Sequence, residues 1–289
     1  MTIGEVYTHL LTELKARFAY EEARAMVFGL LEHHLQISKA RIMVQFNIEV
    51  PDVTLPPLAL ALDDLLADKP LQYVIGKAWF MDQEYAVNEH VLIPRPETEE
   101  LVQTVINAVD NLMEEHPYPL KILDIGTGSG CIAITLKSHY PEISLYALDN
   151  SVAALAVARE NAQYHRAEVY FYHADILIEE TMEGLPPMDI IVSNPPYVLE
   201  KEKKAMKPNV LDHEPADALF VPDDEPLLFY KAIAAYASEN IRPGGLVFLE
   251  INEMLGDEVK SLFLSHKFKD VKVTKDLSGK DRFLQCRSN

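Results

Sequence analysis

The sequence predicts an α/β protein in which a small all-α domain precedes a doubly wound, mostly parallel sheet with an antiparallel last strand. Three observations predict it. The first 75 residues carry helical periodicity and no clear strand, and from Leu120 onward apolar strand-like runs alternate with helical stripes. The last two strand-like runs are separated only by a short turn around Ser278 and Gly279, which makes them antiparallel.

In chain order, Ile3, Val6, Tyr7, Leu10, Leu11, Leu14 and Phe18 recur at helical spacing, and Thr2 with Glu5 forms a capping-box signature for a first helix. Ala23, Met26, Val27, Leu30 and Leu31 give a second stripe, and Pro56 and Pro57 open a third through Leu58, Leu62, Leu65 and Leu66. From Gln72 to Ile93 the extended runs "QYVIGKAWF" and "YAVNEHVLI", separated by "MDQE", predict a hairpin or connecting ribbon. Pro94 and Pro96 stop it, and a helix follows over 97–115. The runs "LKILDI", "ISLYALD", "VYFYHAD", "MDIIVSN" and "GGLVFLEI" are then five strands separated by helical segments at 129–140, 152–165 and 227–239. A helix over 254–266 and the strands "VKVTKDL" and "RFLQCR" close the chain. The segment from Val198 to Pro226, rich in acids and prolines, is expected to lack regular structure and to act as a lid or stay disordered.

Composition narrows the partners. Against 26 Lys and Arg stand 45 Asp and Glu, a formal charge of -19, so the average surface repels a phosphate backbone and no direct nucleic-acid contact is expected. Two cysteines, Cys131 and Cys286, are too few for a disulfide framework or a four-ligand metal cluster, so no metal is expected and both read as buried hydrophobes. Glu5 and His9 interrupt the run a signal peptide needs, and no stretch approaches membrane-spanning length. The expectation is a cytoplasmic protein, not associated with a membrane, and a monomer. His33 and His34 are adjacent in a helical stripe and read as solvated or core residues.

"ILDIGTGSGCIA" follows the first strand of the sheet and opens its first helix. Gly126, Gly128 and Gly130 let a ligand approach backbone, and the helix start offers free amides. Asp149 ends the second strand, where a carboxylate can accept both hydroxyls of a ribose. A dinucleotide fingerprint would need glycine at Cys131. The G-x-G-x-G spacing suits S-adenosylmethionine, with Asp124 adding negative charge or bracing the loop, and with Asp175 placed to reach the adenine.

The fourth strand ends in "IIVSNPPYVLE", residues 190–200. Two adjacent prolines remove two backbone donors and hold the chain extended. The expected partner of the first strand is the fourth, so Asn194 emerges beside the glycine loop. An acceptor pair, the Asn194 side-chain oxygen and the Pro195 carbonyl, can hold a substrate NH2 with its lone pair toward a methyl donor, and Tyr197 can stack on a flat amide or base. An adenine amine and a carboxamide both meet that requirement.

"NPPY" (194–197), "DIGTGSG" (124–130), "LIPRPETEELV" (92–102), "HEPADAL" (213–219), "QYVIG" (72–76) and "DLSGKDRF" (276–283) together resemble the HemK or PrmC protein-glutamine N5-methyltransferases over nearly the whole chain. The resemblance implies a Rossmann-like S-adenosylmethionine-dependent methyltransferase fold with a seven-stranded sheet. It divides the chain into a helical substrate-recognition domain at 1–75, a hairpin linker at 76–94 and a catalytic domain at 95–289. The implied substrate is the glutamine of the Gly-Gly-Gln motif in peptide chain release factors 1 and 2; a ribosomal-protein glutamine or, less favourably for so acidic a chain, a DNA adenine are the alternatives. By the same carry-over Gly126, Thr127, Gly128, Ser129, Gly130 and Asp149 bind the cofactor and Asn194 touches both cofactor and substrate. Asn194, Pro195 and Tyr197 are the catalytic set, and with Pro196 they line the glutamine pocket. Ile176 stands where some relatives carry Trp and leaves an apolar wall for the adenine. In "IPRPETE", Arg95 can hold a carboxylate or brace the hairpin, and Thr98 can cap the following helix. The mixed-charge "EKEKKAMK", 200–207, reads as a solvated start of the lid.

Overall fold

A computed structural model describes residues 1–115 and 119–289. They form two compact units: Met1–Lys77 with Lys207–His213, and Ala78–Met206 with Glu214–Asn289. The smaller holds α1 (Ile3–Leu14), α2 (Tyr20–Leu35), α3 (Lys39–Val44), α4 (Leu55–Leu66) and α5 (Leu71–Ile75). Its first helix starts at the expected capping box, where the Glu5 amide donates to Thr2 Oγ1 at 3.2 Å and the Thr2 amide to the Glu5 carboxylate at 2.7 Å. Such a cap is worth about 1 kcal/mol. Ile3, Val6, Leu10 and Leu14 join Val27, Leu30 and Leu31 of α2 and Leu58, Leu62 and Leu65 of α4 in one core.

Helix α5 corrects the sequence reading, which took "QYVIG" as extended. Its Tyr, Val and Ile have strand propensity, and packing overrides so weak a preference. The turn signals were there: Pro70 precedes the first helical residue, and Gly76, at φ 71°, ends the helix in the left-handed region. The hairpin itself is shorter than its apolar runs. Strands β1 (Lys77–Phe80) and β2 (Gln83–Ala86) meet at Met81 and Asp82, both at positive φ, 49° and 59°, the arrangement that matches hairpin twist.

The larger unit is built on seven strands: β3 (Lys121–Ile125), β4 (Ser144–Asp149), β5 (Val169–His173), β6 (Met188–Ser193), β9 (Ile241–Glu250), β10 (Lys269–Lys275) and β11 (Asp281–Arg287). Their order is β10-β11-β9-β6-β3-β4-β5. The pairs β3/β4, β4/β5, β3/β6 and β6/β9 are parallel, and β11 runs antiparallel to both β9 and β10. All six residues of β6 are buried, as a central parallel strand covered on both faces requires. One face, through Ile122, Ile190, Val192 and Phe248, packs on α6 (Pro96–Glu115) and α7 (Cys131–His139). The other, through Leu123, Ile191, Val247 and Leu249, packs on α10 (Leu228–Asn240) and α11 (Gly256–Ser265). Helix α8 (Val152–His165) links β4 to β5. Both cysteines are free and buried.

The segment 198–226 is not devoid of structure. Strands β7 (Val198–Leu199) and β8 (Phe220–Val221) pair in parallel, and the stretch of sequence that joins them contains α9 (Pro208–Leu211). Elements of two to four residues are too short to show a period, which is why the sequence hid them. Among the described residues no helix is long and apolar enough to cross a membrane, and no group of three or more His, Cys, Asp or Glu is arranged to hold a metal ion.

Candidate active site

Chain order turns back at β3: β4 and β5 extend the sheet one way, then β6 returns to pair with the other edge of β3. Ligand crevices of open α/β sheets form outside the carboxyl ends of strands at such a switch. Ile125 and Ser193 are register partners, and Ser193 Oγ donates to the Ile125 carbonyl at 2.7 Å. The glycine loop after β3 and Asn194 after β6 are therefore neighbours. Both line one cleft of about 260 Å³.

The three loop glycines do different things. All have left-handed φ, 72° at Gly126, 55° at Gly128 and 82° at Gly130. A Cβ at Gly126 or Gly128 would meet nothing within 4 Å, whereas at Gly130 it would lie 2.7 Å from Ile134 Cδ1 and 3.2 Å from Ala158 Cβ. Gly126 and Gly128 thus expose backbone to the cleft. Gly130 lets α7 and α8 close up behind it and is not part of the lining.

Asp149 shapes the loop directly. Its Oδ2 accepts the Gly128 amide and its Oδ1 the Ser151 amide, both at 2.9 Å, and it lines the cleft. Burial raises its carboxyl above the usual range, opposed by those two amides and by His173. Each oxygen keeps a second lone pair. Asp124 lies outside the lining and is fully buried. Its Oδ2 accepts the Thr127 hydroxyl at 2.7 Å while its Oδ1 has no partner, and burial pushes its carboxyl up to about 7. It is a brace for the loop through a side chain rather than through amides. Ser129, Asp175 and Ile176 line the cleft; Asp175 Oδ1 accepts the Leu177 amide at 2.9 Å.

Asn194, Pro195 and Pro196 line the same cleft, but Tyr197 does not. Its ring packs into the core under α10, and its hydroxyl donates to Glu250 Oε1 at 2.8 Å. The Tyr197 carbonyl accepts from Asn252 Nδ2 at 3.0 Å, so the proline corner is pinned from behind. Stacking on a flat substrate, expected of Tyr197, is replaced by an anchoring role.

Two groups escaped the sequence reading. Glu250, at the end of β9 and 1% exposed, also accepts the Thr98 hydroxyl at 2.8 Å, and Thr98 in turn accepts Asn194 Nδ2 at 3.0 Å. Thr98 is thus no helix cap. Burial raises the Glu250 carboxyl; the Thr98 and Tyr197 hydroxyls and the Arg282 charge pull it back. An acid closing the otherwise apolar run "LVFLE" was the signal that could have revealed it. The second is Glu214, whose Oε1 binds Arg95 at 2.6 Å and whose Oε2 accepts the Ile93 amide at 3.3 Å. The carboxylate that Arg95 holds is therefore the protein's own.

Residues 5–76 match the model of the PrmC N-terminal domain and residues 106–216 that of the Methyltransferase small domain. A release factor glutamine methyltransferase of Flavobacterium psychrophilum is 39% identical over 285 residues, 99% of each chain. The chain belongs to the release factor glutamine methyltransferase family. A second family member, from Bacteroides thetaiotaomicron, is 46% identical over 220 residues, 76% of each chain. The family fold extends to more distant proteins. A 16S rRNA methyltransferase of T. thermophilus, solved with AdoMet and guanosine, superposes with a TM-score of 0.50 at 18% identity over 74% of this chain and 50% of that one.

Proposed function

We propose that this protein transfers a methyl group from S-adenosylmethionine to the side-chain nitrogen of the glutamine in the Gly-Gly-Gln motif of peptide chain release factors 1 and 2. Family membership supports the substrate, and one observation supports the site: Asn194 and the open glycine loop share a single cleft at the sheet's switch point. The residues fit the cofactor. Gly126 and Gly128 leave room that a Cβ would fill, Asp149 keeps lone pairs for ribose hydroxyls, and Ile176 and Asp175 line the same cleft. When bound, S-adenosylmethionine supplies an electrophilic methyl group on a cationic sulfur.

The chain's own part is positioning. A carboxamide nitrogen is a weak nucleophile because its lone pair is delocalised. Accepting its two protons at Asn194 Oδ1 and the Pro195 carbonyl would fix the nitrogen's direction, and orientation is where such a transfer gains most. No base need act first, since the proton leaves more readily once the nitrogen carries the methyl. Tyr197 and Glu250 keep the corner rigid, and the smaller unit is the segment to recognise the release factor. The protein acts as a monomer in the cytoplasm, without nucleic acid as a direct partner, consistent with its charge of -19.

Purified protein, labelled cofactor and release factor test this reading, with ribosomal protein and DNA as competitors. Label is expected on the release factor's loop glutamine. Label on DNA or ribosomal protein alone would overturn it.

A further inference from the structure

The direction in which Asn194 points its amide is set by a chain of hydrogen bonds that ends outside the cleft. Glu250, when ionised, can only accept, and the Tyr197 and Thr98 hydroxyls occupy its two oxygens at 2.8 Å each. Burial raises the Glu250 carboxyl, and the two hydroxyls together with Arg282, whose guanidinium lies 6.0 Å from the Tyr197 ring centre, pull it back toward the ionised state. A hydroxyl has one proton. With that of Thr98 committed to Glu250, Thr98 can only accept from Asn194, and it takes the Nδ2 side at 3.0 Å. The planar amide is then left with Oδ1 as its free end. The three side chains come from α6, β9 and the corner after β6, and Thr98 and Glu250 are 3% and 1% exposed, with Thr98 at the wall of the cleft and Glu250 behind it.

We propose that Thr98, held by Glu250, fixes Asn194 with its oxygen toward the substrate and thereby makes the site select a carboxamide over a carboxylate. This rests on the methyl-transfer reading above. Oδ1 and the Pro195 carbonyl then present two acceptors and no donor. A glutamine NH2 satisfies both. A glutamate side chain, which differs only there and is itself acceptor-only, meets like partial charges. Sites that hydrogen-bond a substrate N–H reject the analogue lacking it by roughly 10⁴–10⁵. With the amide reversed, the NH2 would face the substrate and a carboxylate would be welcomed. Thr98 and Glu250 act through Asn194, so both are positioning residues.

The test compares wild type, Thr98→Val and Thr98→Ser on two release factors, one with glutamine and one with glutamate in the loop. Binding of each factor, turnover on the glutamine factor and affinity for S-adenosylhomocysteine are measured. Wild type is expected to prefer the glutamine factor by about 100-fold or more. Thr98→Val should shrink that preference at least about tenfold and lower kcat by a similar factor, with cofactor affinity held within about threefold. Thr98→Ser should restore both. Wild-type preference and kcat in Thr98→Val overturn the inference, while failure of wild type to methylate the glutamine factor overturns the methyl-transfer reading instead. Orientation is also read in the wild-type protein, independently of activity or of how Thr98→Val folds: nuclear Overhauser contacts should join the Asn194 NH2 protons to the Thr98 methyl. Their absence overturns the inference.

Discussion

Asp149→Asn keeps the shape of a residue that touches both loop and cleft but removes one of its acceptors. In the protein Oδ2 holds the Gly128 amide and Oδ1 holds the Ser151 amide, each at 2.9 Å. A carboxamide has one acceptor oxygen, so whichever way it turns, its NH2 confronts a backbone N–H. Either Gly128 is released and the loop loses its hold, or Ser151 is released and the start of α8 loosens. Losing a hydrogen bond to a charged group costs about 1.5–3 kcal/mol, which is roughly tenfold to 150-fold in an equilibrium constant. Because Asp149 lines the cleft, the loss falls on cofactor affinity. Calorimetric titration with S-adenosylhomocysteine should show Kd weakened at least about tenfold, in a protein that circular dichroism shows to be folded. A Kd within about twofold of wild type would refute the assignment of Asp149 to loop and cofactor.

Asn194→Ala should leave cofactor affinity within about tenfold and cut turnover by a further hundredfold or so; single-turnover methylation beside calorimetry checks both, and near-normal turnover contradicts the role. Asp124 gives stability a pH dependence. Its carboxyl is raised to about 7 in the folded chain from about 4 when unfolded, so its contribution is fully present below pH 4 and is lost as pH rises through 7. Asp124→Asn should remove that slope, and urea midpoints at pH 5 and pH 8 should show the variant gaining on wild type at the higher pH; an unchanged gap counts against it. Arg95→Ala strands Glu214, whose side chain is 1% exposed. The 198–226 segment should then be cut faster by trypsin at Lys201, Lys203 and Lys204, whereas an unaltered digestion rate would show that the pair does not hold it. At Gly130 an added Cβ approaches Ile134 to 2.7 Å at a positive φ, so Gly130→Ala should destabilise by about 1–3 kcal/mol, read as a lowered urea midpoint.

What the sequence made legible follows from where the information sits. Strand and helix periods in the second half are local, so the alternation is legible in the sequence, and the usual pairing of the fourth strand with the first in such sheets puts Asn194 next to the glycine loop. The glycine loop, Asp149 and the proline corner were legible because each is a contiguous stretch with its chemistry in adjacent residues. Helix α5 was misread because Tyr73, Val74 and Ile75 favour strands locally, while the caps at Pro70 and Gly76 carried the decision. The network behind the corner stayed hidden for a different reason. Thr98 and Glu250 are 152 positions apart, and only packing of α6 on β9 makes them partners. Tyr197 was placed in the cleft for the same reason: its hydroxyl is drawn back by Glu250, a residue no local pattern connects to it.

The most direct measurement is a mass spectrum of a release factor co-expressed with wild-type protein or with Asn194→Ala. The account predicts a single added methyl group on the Gly-Gly-Gln peptide with wild type and an unmodified peptide with the variant. An unmodified peptide with wild type, or equal methylation by both, would contradict it.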